Sequence, residues 1–167
     1  MTVLQTERLL LRLVERERDA EFLRQLLNEP PFIRFVADRG VRSVADAAAY
    51  IADKIEPSYA EFGFGFYVVE LKESGEPAGM CGLVKRETLD DVDIGYSFLE
   101  RFWGRGYAYE AAAAVLGYGC EVLGLPRVVA LTAADNVSSI RLIEKLGLRY
   151  TRTVQLPGYV SESRVYT

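Results

Sequence analysis

Apolar and polar positions along the chain follow two periods, one near 2 residues and one near 3.6. Residues 8–14 alternate, imperfectly, as a strand does, and residues 17–28 carry Ala20, Leu23 and Leu27 at helical spacing. Pro30-Pro31 then ends that helix. Ser43-Val44-Ala45-Asp46 is a capping start for a second helix running to about Ile55, which Pro57 interrupts before Gly63. Residues 66–72 and 78–86 read as strands joined through Ser74-Gly75-Glu76-Pro77, a hairpin signal. Residues 91–99 form the fourth strand. Residues 106–123 are apolar nearly all round, which predicts a buried helix, with Gly124 at its C′ position and Pro126 beyond. A strand over 127–132, a helix over 137–146 closed by Gly147, and strands over 148–154 and 162–166 complete the pattern.

The order β-α-α-β-β-β-α-β-α-β-β predicts an α/β domain of about seven strands, a mixed sheet with helices on both faces. No repeat, low-complexity tract or linker divides it, and 167 residues suit one domain over 1–167.

Composition narrows the chemistry. The chain has no histidine, so a Ser-His-Asp triad, a Cys-His dyad and a His-Glu-x-x-His zinc site are all excluded. Proton transfer falls to carboxylates, tyrosines, hydroxyls, water or the substrate. Cys81 and Cys120 are too few for a zinc cluster and read as buried small hydrophobes, so no metal is expected. The net charge of −4 argues against nonspecific nucleic-acid binding and is compatible with a cationic amine. No window approaches the ~20 apolar residues of a membrane span, and the N-terminus lacks a signal pattern. Cytoplasmic residence is therefore expected, with no membrane partner, as a monomer or homodimer.

The most specific pattern is Arg101-Phe102-Trp103-Gly104-Arg105-Gly106-Tyr107-Ala108, between the fourth strand and the alanine-rich helix. Two glycines one residue apart let backbone N–H groups approach a ligand, because neither has a Cβ. The helix behind them adds free N–H groups and the positive end of its dipole, so the loop suits a phosphate or pyrophosphate. A dinucleotide fingerprint needs Gly or Ala where this chain has Tyr109, and no Gly-Lys-Ser/Thr of a P-loop is present.

What remains resembles the acetyl-CoA loop of the GCN5-related N-acetyltransferases (GNAT), Gln/Arg-x-x-Gly-x-Gly/Ala, with Arg101, Gly104 and Gly106 at its specified positions. Downstream, Asn136-Val137-Ser138-Ser139 and Glu144-Lys145-Leu146-Gly147-Leu148 resemble the Asn-x-x-Ser…Glu-Lys-x-Gly-Phe block of the same superfamily, with Leu148 in place of the phenylalanine. The wording from Trp103 to Ala111 and the opening Thr6-Glu7-Arg8-Leu9-Leu10-Leu11-Arg12 are similar to the RimJ/RimL branch, which includes ribosomal-protein N-terminal acetyltransferases. The resemblance implies a sheet splayed between strands 4 and 5, with the pantetheine arm in the gap. It implies acetyl-CoA as cosubstrate and direct attack on its thioester by a primary amine, without a protein nucleophile. The acceptor is a peptide N-terminus or a small amine, amino acid or antibiotic. A noncatalytic acyl-CoA-binding module is the alternative from another class.

Gly95 interrupts its strand, as a packing glycine or, the reading preferred here, as a bulge. A bulge would free backbone groups near Phe98 and Leu99 to pair with the pantetheine chain as an added strand would. Trp103 reads as a loop anchor, and Arg105 as a solvated flank or a phosphate contact. Tyr107 and Ala108 open the phosphate-facing helix. Asn136 is an N-cap, and the resemblance adds a contact to the CoA arm, with Ser139 facing the sulfur. Many superfamily members carry a tyrosine acid where this chain has Ile143, which leaves Ser139 to protonate the thiolate. Asp93, just before Ile94-Gly95-Tyr96 where the branch often has glutamate, is either the general base or a solvated strand residue, and Glu87 is the fallback. Glu110 reads as structural. The acceptor pocket should draw on residues 30–41 and 156–159, with Phe32, Phe35 and Tyr159 as walls.

Overall fold

The computed structural model describes residues 1–167. Two strands, β1 (Thr2–Gln5) and β2 (Leu9–Leu13), lead into four helices, α1 (Arg16–Leu27), α2 (Pro30–Phe35), α3 (Val44–Tyr50) and α4 (Glu56–Phe62). Then come β3 (Phe66–Leu71), β4 (Pro77–Val84), β5 (Val92–Phe98), α5 (Tyr107–Gly117), β6 (Val128–Ala133), α6 (Val137–Lys145), β7 (Tyr150–Val154) and β8 (Ser163–Tyr166). All eight strands lie in one open sheet, ordered β1-β2-β3-β4-β5-β6-β8-β7. Every neighbouring pair is antiparallel except β5 and β6, which run parallel. The seven strands expected from the pattern are present. The eighth, β1, is a four-residue edge strand too short and too exposed for periodicity to reveal.

The parallel pair holds only three register positions, Val92↔Val128, Asp93↔Val129 and Ile94↔Ala130. Beyond Ala130, β6 runs on against β8, while β5 keeps only β4 as a partner. The sheet therefore splays open along Gly95–Phe98, the place that the resemblance implied.

Strand alternation assigns the faces. Arg12 of β2 is tied to Asp19 of α1 by an ion pair at 2.7 Å, and the register across β3, β4 and β5 carries that face to Val68, Met80 and Ser97. Asp93, Gly95 and Ser97 thus look toward α1–α4. Ile94, Tyr96 and Phe98 look the other way, toward α5, which packs on β2, β4 and β5. α6 packs on β6.

Four local expectations are corrected. Pro30-Pro31 does not simply end a helix; it starts α2, because proline's fixed φ suits a first turn that needs no N–H donor. Pro57 does not break the second helix either. A π-type turn over Ile51–Ile55 widens the ladder just ahead of it, absorbing the missing donor and the ring's bulk, and α4 continues. The Ser43–Asp46 capping box forms as expected. The helix predicted over 106–123 is α only to Gly117 and ends in a second π-type turn, Tyr118–Val122, which leaves Cys120 exposed rather than buried. Gly95 makes no bulge: it pairs in regular register with Gly82. Its missing side chain makes room for Phe66, whose ring would lie 2.7 Å from any added Cβ. No helix is long and apolar enough to cross a membrane.

Candidate active site

The splay opens a cavity of about 1070 Å³ that reaches both faces of the sheet. Its α5 side begins at the glycine loop. Gly104 and Gly106 have φ of +77° and +80°, a left-handed backbone that side chains resist, so the turn itself demands glycine. Gly106 is the N-cap of α5 and supplies no side-chain cap, so the first-turn N–H groups face the cavity rim without an intrahelical partner. Glu110 does not fill that role. It accepts from Thr6 Oγ1 at 2.5 Å, from the Arg8 backbone N–H at 3.0 Å and from Arg8 Nε at 2.8 Å, tying the N-terminal loop to α5. Arg8 also donates to the Arg105 carbonyl at 2.9 Å and lies 4.5 Å from the Tyr107 ring centre. The Thr6–Arg8 segment thereby braces the loop from outside.

Trp103, Gly104, Gly106, Tyr107 and Ala108 line the cavity. Arg101 and Arg105 do not. Arg101 is drawn to Glu76 at 2.7 Å and lies over Phe102, and Arg105 stays exposed, its carbonyl used by Arg8. Trp103 anchors the loop as expected, its Nε1 donating to the Phe98 carbonyl at 2.9 Å.

That bond also corrects the strand edge. Leu99 is engaged on both sides, its N–H donating to Ala78 and its carbonyl accepting from Phe102. Leu99 therefore faces β4, and it does not line the cavity. Alternation then turns the backbone groups of Tyr96 and Phe98 toward the gap. With the Phe98 carbonyl taken by Trp103, the free edge consists of Tyr96 and the Phe98 N–H, one step before the place expected.

Asn136 caps α6, accepting from the Ser139 N–H at a long 3.4 Å, and both line the cavity. Ile143, where a tyrosine acid would stand, is fully buried in the core. A hydroxyl arrives instead from the strand: Tyr96 Oη lies 2.7 Å from Ser139 Oγ. Burial pushes the Tyr96 phenol up to about 12, and its bond to Ser139 opposes this. No spacing rule links positions 96 and 139, so the pair is invisible in the sequence.

On the α1–α4 side sits Asp93, 1% exposed. It is not a solvated strand residue. Arg86 Nε donates to its Oδ1 at 2.9 Å. Burial raises the Asp93 carboxyl above the usual carboxylate value, and Arg86 only partly offsets this. Glu87 lies exposed in the turn after β4 and does not line the cavity. Phe32, Phe35 and Tyr159 line the same side as expected. Arg39, Tyr50 and Arg86, which the sequence did not single out, join them.

Residues 8–149 match the family profile described as Acetyltransferase (GNAT) domain. The chain belongs to this GNAT acetyltransferase family. YkkB of Bacillus subtilis (strain 168) is 31% identical over 156 residues, covering 92% of this chain and 89% of that protein. The N-acetyltransferase p20 of Bacillus licheniformis is 31% identical, over 89% of this chain and 83% of its own. An acetyltransferase from Agrobacterium tumefaciens str. C58 shares the structure with a TM-score of 0.78 and 27% identity, covering 99% and 92% of the two chains. RimL, a ribosomal L7/L12 α-N-protein acetyltransferase solved with coenzyme A, has the same fold at a TM-score of 0.82 and 18% identity, over 99% and 96%. The protein is thus an acyltransferase with the GNAT fold.

Proposed function

We propose that this acetyltransferase moves the acetyl group of acetyl-CoA to a primary amine. The observation that carries the reading is the single cavity through the splay, with an uncapped helix start at one end and a buried carboxylate at the other.

The residues fit the cosubstrate. The first-turn N–H groups of α5 and the left-handed Gly104–Gly106 loop suit its pyrophosphate. The free edge at Tyr96 and Phe98 suits the pantetheine amides, which pair as an added strand. Asn136 supplies a side-chain amide to the same arm. When bound, acetyl-CoA supplies a thioester open to direct attack by the amine.

Asp93 accepts the amine proton, directly or through one water. Its raised pKa makes it a better base than an ordinary carboxylate, and Arg86 keeps it oriented. On the opposite face, Ser139 gives its proton to the departing sulfur, and Tyr96 passes its own to Ser139 along their hydrogen bond. Strand alternation from 93 to 96 separates base and acid onto the two faces of the gap, so neither quenches the other.

The test is acetyl-CoA turnover, followed as free thiol, with a panel of small amines, amino acids and peptides bearing free N-termini. Turnover with at least one primary amine is expected. Binding of CoA with no transfer to any of them would refute the reading.

A further inference from the structure

Arg39 is the side chain that the mechanism leaves unused. It lies between α2 and α3, lines the acceptor side of the cavity, and its Nε is buried with no hydrogen-bond partner. Its neighbour Asp38 does not neutralise it, because Asp38 is held by Arg42 at 2.5 Å. A buried guanidinium N–H without a partner is costly, so such a group marks a place where an acceptor atom belongs.

A second cation stands beside it. The guanidinium carbons of Arg39 and Arg86 lie 5.4 and 5.5 Å from the centre of the same Tyr159 ring. Tyr50 closes the group. Asp93 balances Arg86, which leaves one uncompensated positive charge in this part of the wall. The charges alternate along it: Asp93 to receive a cationic amine, then Arg86 and Arg39 to receive an anion.

We infer that the acceptor is a primary amine carrying a carboxylate, with Arg39 as the carboxylate-binding residue and Phe32 and Phe35 packing its apolar part. One surplus charge matches a monoanion. The inference rests on the acceptor-amine reading and adds the acceptor's class.

The test compares L-phenylalanine with L-phenylalaninamide as acceptors, in the wild type and in Arg39→Gln. The wild type should favour the acid. In Arg39→Gln, kcat/KM for the acid should fall about tenfold to a hundredfold, the loss expected for one charge-assisted hydrogen bond, and the amide should lose far less. Comparing the acid-to-amide ratio between proteins cancels the two amines' different basicities. Arg39→Lys keeps the charge without the planar fork and should recover part of the ratio. A binding arm needs no turnover: N-acetyl-L-phenylalanine should raise the Tm of wild-type protein more than its amide does, with or without CoA, and Arg39→Gln should erase the difference. Should a variant fail to fold, the wild-type comparisons still decide. Equal handling of acid and amide by the wild type, or an unchanged ratio in a folded Arg39→Gln, would overturn the inference while leaving the acetyltransferase reading intact. A preference for O-phosphoethanolamine would overturn the carboxylate assignment. Absence of any Tm response to CoA would instead strike at the proposed cosubstrate site.

Discussion

Gly106→Ala separates the two jobs of the glycine loop. At φ +80°, alanine adopts a left-handed conformation that costs about 1–2 kcal/mol. No clash adds to this, since a Cβ at Gly106 meets only Arg8 Nη2, at 3.4 Å. For a chain of this length, ligand-free Tm should fall by about 2–8 °C. The Cβ then occupies space at the cavity rim that the phosphate needs. At a CoA concentration a hundred times the wild-type Kd, stabilisation is about 2.7 kcal/mol, or roughly 5–11 °C of added Tm. If the methyl weakens binding a hundredfold, the same CoA adds only about 0.4 kcal/mol, close to 1 °C. Gly63→Ala is the control: its φ is +78°, nothing lies within 4 Å of its Cβ, and Gly63 is outside the cavity lining. It should show the same loss of ligand-free Tm and the full CoA increment. Differential scanning fluorimetry with and without CoA reads all four quantities. A folded Gly106→Ala protein with an undiminished CoA increment would refute the phosphate role of the loop.

Asp93→Asn should lower kcat/KM by about a hundredfold or more with CoA affinity kept. Because burial raises the Asp93 carboxyl, wild-type activity should fall with decreasing pH sooner than an ordinary carboxylate would dictate, and the variant's profile should lose that limb. A loss under about threefold, with an unmoved profile, would assign deprotonation to solvent. Tyr96→Phe removes the partner of Ser139 and should lower kcat by about tenfold, less than a full general acid because a thiolate leaves readily. An unchanged kcat would show that no relay operates. Asn136→Ala should cost about 0.5–1 kcal/mol, the low end for a cap whose bond is 3.4 Å long, and should separately raise the KM for acetyl-CoA. A stability loss alone would make Asn136 only a cap. Asp19→Ala strands the buried Arg12 charge and should destabilise by about 3–5 kcal/mol in chemical denaturation, and a cost below about 1 kcal/mol would mean that Glu70 suffices.

Periodicity carried most of the element order because burial writes itself into local sequence, as one apolar face on an amphipathic element or as a continuous apolar run on a strand covered from both sides, such as β4. The glycine loop was legible for a related reason. Left-handed turns and uncapped helix starts are local, so Gly104 and Gly106 announce them without help from the rest of the chain. Punctuation by proline was less reliable. Pro30 and Pro57 each forbid one hydrogen bond, but whether a helix stops, starts or widens there depends on what packs around it. Gly95 shows the same limit. Its reason is the Phe66 ring on β3, two strands away in the sheet, and a packing glycine and a bulge glycine are spelled alike.

The candidate chemistry divides along that line. Asp93 and Ser139 could be named from strand parity and the family motif, since both lie near recognisable blocks. Three features came only from tertiary structure. The orientation of the β5 edge was decided by the bonds of Leu99 to Ala78 and Phe102 and by the Trp103 indole. The Tyr96–Ser139 contact joins residues 43 apart. The meeting of Arg39, Arg86 and Tyr159 brings together three loops or strand ends that nothing in the sequence relates. Charge alone could not reveal it either, because an unpaired arginine is spelled like the others. Only the folded chain shows which arginines already have a carboxylate, and that the Arg39 Nε is buried in the cavity wall without a partner.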